Sequence, residues 1–421
     1  MKKPFFLSTF LGVAESQTMD RPGFEFDTTT DGVTAAEVTA ADTSPPNWFP
    51  IGMALGALML GCLLFGLFQI FVVGHHTLGN TKEVPWNIFI VNYAFAISSI
   101  GLSYIASFGI VLGLKQFDAI ARRALFLAIL IIVAGASNVV LDARQPINAM
   151  FMMLTPHLTS PMGVVAVSIN LYLVLIVTEL YLLIKRGHHD PLVKVVAVAA
   201  FLTAVVVHSY HGAIFGLAYA RDFWHGPYYP IYFLLSALFA SSAIIILVSV
   251  LTYKATGQQI GEKLRATLEV VGKMLVYLLA IGLFFLYWKT KTGYYFGKPE
   301  ASLLMYGQYA LNFWMVEVLV GYVLPIIIIV RARFKDLNKM ALAALLVLVG
   351  IYIGRYDFII IGQLVPYLGV APFDSDLGGS LATFATYVPT VAEIATTIGL
   401  LGVVWTGYIL GMRYLPLKAE E

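Results

Sequence analysis

The sequence predicts an all-α integral membrane protein with about ten transmembrane helices. Hydrophobic residues make up 59% of the 421 residues and charged residues only 12%, whereas soluble domains are about one quarter charged. The mean hydropathy is +0.83. Apolar runs of about 20 residues, the length needed to cross the hydrocarbon core of a bilayer, recur along the chain. Together these observations exclude a water-soluble enzyme.

Ten apolar runs follow one another from residue 48 onwards. Each is long enough for one crossing of the membrane. The predicted spans are residues 48–73, 86–111, 123–141, 162–184, 193–215, 231–251, 266–288, 304–330, 341–363 and 388–411. The membrane domain therefore covers residues 48–411, and residues 412–421 form a C-terminal tail that we expect to be cytoplasmic.

The first 47 residues differ from the rest of the chain. Residues 15–42 are acidic and rich in threonine, without a helical stripe of apolar side chains, and Pro45 and Pro46 follow them. The short apolar run at residues 5–14, behind two lysines, has the look of a signal peptide. We expect it to stay uncleaved, so that residues 1–47 form a polar cytoplasmic tail.

The distribution of lysine and arginine between the loops predicts the orientation. Loops on the cytoplasmic side of a membrane carry the excess of these residues. The loops after the even-numbered spans and the C-terminus carry Lys115, Arg122, Arg123, Lys185, Arg186, Lys194, Lys254, Lys263, Arg265, Arg331, Arg333, Lys335, Lys339, Arg413 and Lys418. The loops after the odd-numbered spans carry only Lys82, Arg144, Arg221, Lys289, Lys291 and Lys298. We therefore predict a multi-pass protein of a bacterial inner membrane with both termini in the cytoplasm and the odd loops in the periplasm.

Composition excludes several kinds of partner and cofactor. The net charge of +2 is too small to suggest binding to nucleic acid. The only cysteine is Cys62, so the chain alone cannot build an iron–sulfur cluster, a disulfide framework or a thiolate zinc site. The only histidines within spans are His208 and His211, both in span five, whereas a haem crossing a bundle takes histidines from two facing helices. We predict no metal site and no haem.

Polar residues within the spans are the candidates for function, because such residues are costly in lipid and usually face a bundle interior or a water-filled path. Most lie towards the predicted periplasmic ends, namely Asn138, Asp142, His208, His211, Arg355, Asp357 and Glu393. Glu317 is predicted near the middle of span eight. Glu179, Glu269 and Lys273 lie towards the predicted cytoplasmic side.

Purely structural roles remain open for several of these residues. Glu269 and Lys273 are spaced i,i+4 with the acid first, which favours a helix salt bridge. Asp142 could cap its helix or pair with Arg144. Glu393 lies in the first turn of its helix, where a carboxylate interacts favourably with the helix dipole.

Arg355 and Asp357 are two positions apart in span nine, which places them about 200° apart around a helix. We therefore expect that they do not both face one pocket, and that at least one of them has a partner on another helix. A buried arginine outside a functional site is hard to explain, so Arg355 is the strongest candidate of the set.

Several motifs resemble the NrfD/PsrC family, the membrane subunits of polysulfide-reductase-like complexes. The segment Leu141-Asp142-Ala143-Arg144-Gln145-Pro146 is similar to the family signature Leu-Asp-x-Gly-Arg-Pro, with alanine in place of the glycine. Further segments follow in the family's order, namely Val84-Pro85-Trp86, Ser160-Pro161-Met162, Phe223-Trp224-His225-Gly226-Pro227, Ser236-Ala237, Glu317-x3-Gly321-x3-Pro325, Arg355 with Gly362-Gln363, and Tyr387-x-Pro389-Thr390-x2-Glu393. The resemblance covers about residues 48–411.

The resemblance implies an architecture and a function. Spans two to five and six to nine are expected to form two four-helix bundles flanked by spans one and ten. Family members hold no haem or iron–sulfur cluster, bind a quinone near the periplasmic face and exchange electrons with a periplasmic ferredoxin-like iron–sulfur subunit. Ten spans are typical of the branch that serves quinone reductase and sulfite-reductase-linked complexes. For the former, the implied further partners are a multihaem cytochrome c and a molybdopterin-like subunit, and the implied quinone is menaquinone.

The polar residues suit quinone chemistry, since reduction of a quinone needs donors to two carbonyl oxygens, a cation to stabilise developing negative charge and a source of protons. The predicted quinone-binding residues are Asn138, Asp142, His208, His211 and Arg355. The predicted proton path comprises Glu179, Lys273, Glu317, Asp357 and Glu393. Loops 144–161 and 364–387 are expected to dock the iron–sulfur partner.

Two other functions fit the same composition. A secondary transporter also has about ten spans with polar residues and glycine or proline in its helices, but its site lies near the membrane midplane, whereas most polar residues here lie towards one side. A passive membrane anchor for periplasmic redox subunits is the second alternative.

Overall fold

The computed structural model describes residues 48–365 and 384–417. The predicted tail at residues 1–47, the greater part of the predicted docking loop, residues 366–383, and residues 418–421 lie outside the described residues. In the described ranges the chain is helical and contains no β-strand. Ten of the helices there are long and apolar enough to cross a membrane. The prediction of an all-α, multi-pass integral membrane protein is therefore confirmed.

The observed spans follow the predicted ones closely along the chain. Spans one to ten are Trp48–Val73, Ile88–Val111, Lys115–Asp142, Pro161–Arg186, Pro191–Gly216, Tyr228–Thr256, Glu262–Tyr295, Asn312–Arg331, Leu337–Leu364 and Val391–Tyr414. Two short helices, Pro146–Leu154 and Pro299–Met305, lie in the loops after spans three and seven.

Two boundaries differ from the prediction in a way that matters for function. Span seven continues through Tyr295, so that Lys289, predicted in a loop, lies inside the helix. Span eight begins at Asn312 rather than at residue 304. Leu304 belongs instead to the separate helix Pro299–Met305, which ends just before Gly307. The apolar run at 304–330 is therefore two elements and not one.

Local sequence signals explain where many of the spans begin. Asn87 caps span two and Asp190 caps span five, each by accepting the backbone N–H of the residue two positions later. Proline occupies the first helical position of spans four and five. Span ten starts with a capping box, in which Thr390 accepts the N–H of Glu393 and the Glu393 carboxylate accepts the N–H of Thr390.

Span eight departs from α-helical geometry. Its first twelve residues, Asn312–Val323, form a π-helix, and the α-helix Leu324–Arg331 follows. π-helical segments are rare in proteins, and those that occur often lie at functional sites. Glu317 lies within this segment.

The packing of the spans follows two rings of contacts. Span two packs against three, three against four, four against five, and five against two; the same pattern joins spans six, seven, eight and nine. Spans one and ten pack mainly against each other. These contacts support two four-helix bundles with spans one and ten outside, an arrangement that we retain as a prediction. Span six also contacts spans two and five, and span nine contacts span two, which joins the two rings.

Because each span reverses the direction of the chain, the loops fall at two ends. The end with the loops after spans one, three, five, seven and nine is here called the odd-loop end, and the opposite one the even-loop end. Large apolar side chains such as Leu64, Val174, Leu202 and Phe284 are more than half exposed. In a protein with ten membrane-spanning helices these side chains face lipid.

Candidate functional site

A small cavity lies between spans six, seven, eight and nine, in the half of the protein nearer the odd-loop end. The space open to the centre of a water molecule is about 20 Å³, which is room for about one ordered water. The cavity is lined by Phe223, Tyr228, Tyr229, Tyr232, Leu286, Lys289, Leu304, Glu317, Ile351, Gly354, Arg355, Asp357 and Phe358. Aromatic rings form much of this lining.

Four of the lining side chains are ionisable, two basic and two acidic. Lys289 comes from span seven, Glu317 from span eight, and Arg355 and Asp357 from span nine. Glu317, Arg355 and Asp357 are 7%, 3% and 1% exposed. No ion pair within 4.0 Å joins these four residues. Two basic and two acidic groups therefore face one cavity without direct contact, an arrangement in which water can bridge them.

Arg355 is held by span six. Its Nη2 donates a hydrogen bond to Ser236 Oγ, and its guanidinium lies 4.1 Å from the ring centroid of Phe233. Cation–π contact compensates part of the cost of burying a guanidinium. The Nε of Arg355 is buried without a hydrogen-bond partner, so one donor of this cation remains available.

Glu317 packs directly on span nine. A Cβ added at Gly354 would lie 2.5 Å from Glu317 Oε1 and 2.8 Å from Cδ, so a larger residue there would push the carboxyl group out of its place. One turn away, the backbones of spans eight and nine are in contact at Gly321 and Gly350. A Cβ on either glycine would lie within 3.0 Å of the other's Cα, so this approach requires that both lack a side chain. This close crossing places the Glu317 carboxyl beside Arg355.

The other two ionisable residues face the same space from different sides. Asn312 Nδ2 donates to Asp357 Oδ1 at 3.1 Å, and Asp357 Oδ2 is buried without a partner. The Nζ of Lys289 lies 4.3 Å from the ring centroid of Phe223. Lys289 was not identified as a site residue from the sequence, because the apolar run of span seven ends at Trp288. The aromatic residues on both sides of Lys289 were the only sequence signal that the span continues.

Two expectations about these residues were wrong. Arg355 and Asp357 both line the one small cavity, although their hydrogen bonds lead to different helices: Arg355 reaches Ser236 of span six, and Asp357 meets Asn312 of span eight. Both thus have partners on other helices. Glu317 is not at the middle of its span but five residues from its odd-loop end, about 7.5 Å at the rise of an α-helix.

The two predicted histidines contact tyrosines of span two. The Nδ1 of His211 lies 2.7 Å from the carbonyl oxygen of Val207. Since that oxygen can only accept, Nδ1 carries the proton and Nε2 of the neutral ring accepts from Tyr93, 2.6 Å away. His208 Nδ1 lies 3.1 Å from the Tyr104 hydroxyl, and its Nε2 is buried without a partner.

Asn138 belongs to a network that joins four spans. Its Nδ2 donates to Ala134 O, and its Oδ1 accepts from Asn92 of span two at 3.0 Å. Asn92 also donates to Thr397 of span ten and accepts from Tyr352 of span nine. These hydrogen bonds use one N–H and one lone pair of the Asn138 amide, and its second N–H leaves a contact with a quinone as a prediction.

Asp142 and Glu393 meet at the odd-loop end instead of the cavity. Asp142 Oδ1 accepts from Asn80 Nδ2 at 3.1 Å. Glu393 is fully buried and accepts the Gly79 N–H and the Tyr387 hydroxyl, both at 2.9 Å. Burial and the neighbouring Glu393 carboxylate raise the pKa of Tyr387 well above its usual value, so its phenol stays a donor. Both acids therefore anchor residues 79–80 of the loop between spans one and two.

Glu179 is buried in span four, towards the even-loop end. Its Oε1 lies 3.5 Å from Ser107 Oγ, and its Oε2 has no hydrogen-bond partner. Tyr172 of the same span is also buried, and its hydroxyl has no hydrogen-bond partner. The pair Tyr104 and His208 lies in the same ring of spans. Lys273 is half-buried in span seven, and no hydrogen bond joins it to these described residues.

The structure therefore divides the predicted residues into groups. Arg355, Glu317 and Asp357 line one cavity with Lys289, whereas His208 is not among its lining residues. Asn138 and His211 join helices, whereas Asp142 and Glu393 hold a loop.

Comparison with known proteins identifies the family. A model of the family described as "Polysulphide reductase, NrfD" matches residues 76–367, which is more than half of the chain. The protein belongs to the NrfD family. All four ionisable residues of the cavity lie within the matched region.

Three NrfD-like relatives match the chain over most of its length. A selenate reductase subunit of Mesobacillus selenatarsenatis is 24% identical over 386 residues, covering 81% of this chain and 88% of the relative. The Hdr-like menaquinol oxidoreductase integral membrane subunit of Archaeoglobus fulgidus is 24% identical, covering 82% and 87%. The menaquinone reductase integral membrane subunit of Nitratidesulfovibrio vulgaris is 24% identical, covering 89% and 93%.

Proposed function

We propose that this chain is the quinone-binding membrane subunit of a respiratory oxidoreductase complex, with menaquinone as its substrate. Two relatives that cover more than four-fifths of the chain are named as membrane subunits of a menaquinol oxidoreductase and of a menaquinone reductase. The chain itself holds no haem or iron–sulfur cluster in this proposal. Electrons pass between the quinone and partner subunits at the odd-loop end.

The observation that carries the proposal is the cavity with its four ionisable side chains. Ionisable residues inside a membrane domain are costly and indicate a functional site. A quinone carbonyl oxygen needs a hydrogen-bond donor, and its reduction needs protons. The cavity offers the unpartnered Nε of Arg355 and the hydroxyl of Tyr228 as donors, and the unpartnered Oδ2 of Asp357 as a proton acceptor. These orphaned polar atoms fit a quinone head group.

The cavity is too small for a quinone ring in the observed arrangement of side chains. About 20 Å³ accommodates a single water. Phe223 lies in the loop before span six and Tyr228 in its first turn, so both stand at the odd-loop end of the cavity. We infer that these two rings turn aside to admit the head group, while the isoprenoid tail stays in the lipid.

Each residue has its own role in this proposal. Arg355 binds a carbonyl oxygen and stabilises negative charge that develops on it. Glu317 and Asp357 exchange protons with the ring oxygens, and Lys289 balances their charge. Asn138 and His211, whose side chains are engaged within the protein, position the helices that frame the site.

Protons reach the site from the even-loop end in this proposal. The groups proposed to carry them are Glu179, buried towards the even-loop end, and the hydrogen-bonded pair Tyr104 and His208, with water between them. With electrons supplied from the odd-loop end, proton uptake from the other side makes turnover electrogenic. Glu317 then passes protons on at the cavity, and a part for Lys273 stays a prediction.

The partner subunits dock at the odd-loop end, which is the periplasmic side if the predicted orientation holds. We propose a ferredoxin-like iron–sulfur subunit there, with a multihaem cytochrome c and a molybdopterin-like subunit beyond it. The loop after span three supports this, because Ile147, Phe151, Leu154 and Leu158 are each more than half exposed. A row of such side chains at the rim of a membrane domain suits a protein partner or the membrane interface.

Removal of the arginine tests the function directly. We expect Arg355→Ala to abolish quinone turnover in the assembled complex and to lower the amount of menaquinone that can be extracted from it. Arg413→Ala is the matched control, because Arg413 is exposed at the other end of the protein and stacks on Phe49. Normal turnover in Arg355→Ala, or menaquinone absent from the wild-type complex, would contradict the proposal.

A further inference from the structure

A second, larger groove lies at the even-loop end. Its space open to the centre of a water molecule is about 310 Å³. It is formed by the last turns of span six, the loop that follows, the first turn of span seven and the start of span nine. This groove is separate from the cavity around Arg355, with which it shares no lining residue.

The lining of the groove combines basic, amide and apolar side chains. Lys254 and Arg265 supply two cations, and Gln258, Gln259 and Asn338 supply amides. No carboxylate is among the lining residues. The apolar part consists of Val250, Ile260 and Leu337.

The nearest acidic residue of span nine is engaged elsewhere. Asp336 caps this helix by accepting the Lys339 N–H, and its Oδ2 lies 3.1 Å from the Lys339 ammonium. Its backbone hydrogen bond to Lys339 also lowers the pKa of this exposed carboxyl group. Glu262, at the start of span seven, is exposed to solvent. Neither acid lines the groove, so its cations are not neutralised from within.

A third cation lies behind the groove wall. Arg123 of span three is 2% exposed, and its guanidinium lies 5.2 Å from the ring centroid of Tyr253, which lines the groove. It donates to Ser249 Oγ, while its Nε and Nη2 are buried without partners. Among the described residues no carboxylate is paired with it. A buried cation without a counter-charge is unfavourable, and an anion held on the other side of Tyr253 offsets that cost.

Lipid-facing surface adjoins the groove. Leu251, one turn before Lys254, is 50% exposed, and Leu342, one turn after Asn338, is 51% exposed. Both belong to membrane-spanning helices. A ligand in the groove can therefore place a charged group among the cations and apolar chains along the helices.

We propose that this groove binds the phosphate of an anionic phospholipid, with Lys254 and Arg265 as the residues that contact the head group. Basic pockets between the ends of transmembrane helices recognise anionic head groups in this way. The groove accordingly holds one lipid in place against spans six, seven and nine. This site is independent of the proposed quinone chemistry.

Native mass spectrometry of the delipidated full-length protein tests the proposal, with phosphatidylglycerol or phosphatidylcholine added back. We expect the wild-type protein to retain one phosphatidylglycerol and no phosphatidylcholine. The double variant Lys254→Gln/Arg265→Gln is expected to bind phosphatidylglycerol roughly thirtyfold more weakly, since each cation near an anionic head group contributes to affinity. Both side chains are exposed, so we expect the variant to fold.

The matched control is Lys185→Gln/Lys194→Gln, which removes two exposed cations from the same end of the protein outside the groove. It is expected to retain the lipid as the wild type does, and so is the charge-conserving variant Lys254→Arg/Arg265→Lys. Equal loss in both glutamine variants would overturn the proposal, because the lipid would then respond only to surface charge. Equal retention of the two lipids would also overturn it. Complete displacement of the lipid by inorganic phosphate would show a site for free phosphate instead.

Discussion

The carboxyl group of Glu317 lies directly against Gly354, the residue that precedes Arg355. This contact joins the π-helical part of span eight to span nine and sets the position of both an acid and a cation at the cavity. It depends on the absence of a side chain at one position. The contact therefore offers a way to disturb the site without removing any of its chemical groups.

We predict that Gly354→Ala impairs quinone turnover while leaving the ten-span fold intact. The added Cβ would lie 2.5 Å from Glu317 Oε1, so the carboxyl must move. The shifted carboxyl no longer stands where the proposal needs it for proton transfer, and we expect turnover to fall about tenfold, which corresponds to a rise of about 1.4 kcal/mol in the activation free energy. The matched control is Gly61→Ala in span one, where nothing lies within 4 Å of the added Cβ. Unchanged turnover in Gly354→Ala would mean that the position of Glu317 does not matter.

Glu317→Gln tests proton transfer. The amide keeps the size of the side chain but cannot release a proton, so we expect slower quinone reduction and loss of the membrane potential that turnover generates in liposomes. Glu269→Gln is the control, since Glu269 is half-buried in span seven and does not line the cavity. A wild-type complex that generates no potential, or a mutant that generates a normal one, would show that this path carries no protons.

Lys289→Met tests the contribution of the residue that the sequence did not reveal. Methionine fills similar space without the charge, so the two carboxyl groups at the cavity lose one of their two balancing cations. We expect turnover to fall about tenfold or more, as for loss of a group that stabilises charge. Lys291→Met is the comparison, because Lys291 lies two residues further on and contacts Tyr295 instead. Equal activity of the two variants would leave Lys289 with a purely structural role.

Reporter insertions test the orientation. A reporter that is active only in the periplasm should be active when it is inserted at Gly297, in the loop after span seven, and inactive at Gly187, in the loop after span four. The distribution of lysine and arginine predicts this outcome. The reverse pattern would place the cavity near the cytoplasm and would remove the argument for electrogenic turnover.

The sequence was sufficient to predict the number of spans, because an apolar run of about 20 residues has few alternatives to crossing the membrane. It did not predict the start of span eight. Leu304 and Asn312 stand in one apolar stretch, and the prediction gave no weight to Gly307-Gln308, the local signal that the short helix Pro299–Met305 ends before the span begins. The depth assigned to Glu317 was wrong for this reason.

The site was only partly predictable, because its residues come together through packing. Arg355 stood out as a buried arginine, but its contacts with Phe233 and Ser236 join residues more than one hundred positions apart. The expectation that Arg355 and Asp357 do not line one cavity was wrong, since it considered only their positions around one helix and not how far their side chains reach. The hydrogen bond between Tyr93 and His211 could not be predicted, because no sequence pattern pairs two residues so far apart in the chain.

The most direct test of the central claim is photoaffinity labelling of the assembled complex with a menaquinone analogue that carries a photoreactive group on its ring, followed by peptide mapping. The proposal predicts labelling within Tyr228–Phe233 or Ile351–Phe358, the segments of spans six and nine that bound the cavity, and loss of that label when menaquinone competes or Arg355 is replaced by alanine. A competed label confined to other segments, such as the loop around Asn80 and Asp142, would contradict the assignment of the quinone to this cavity.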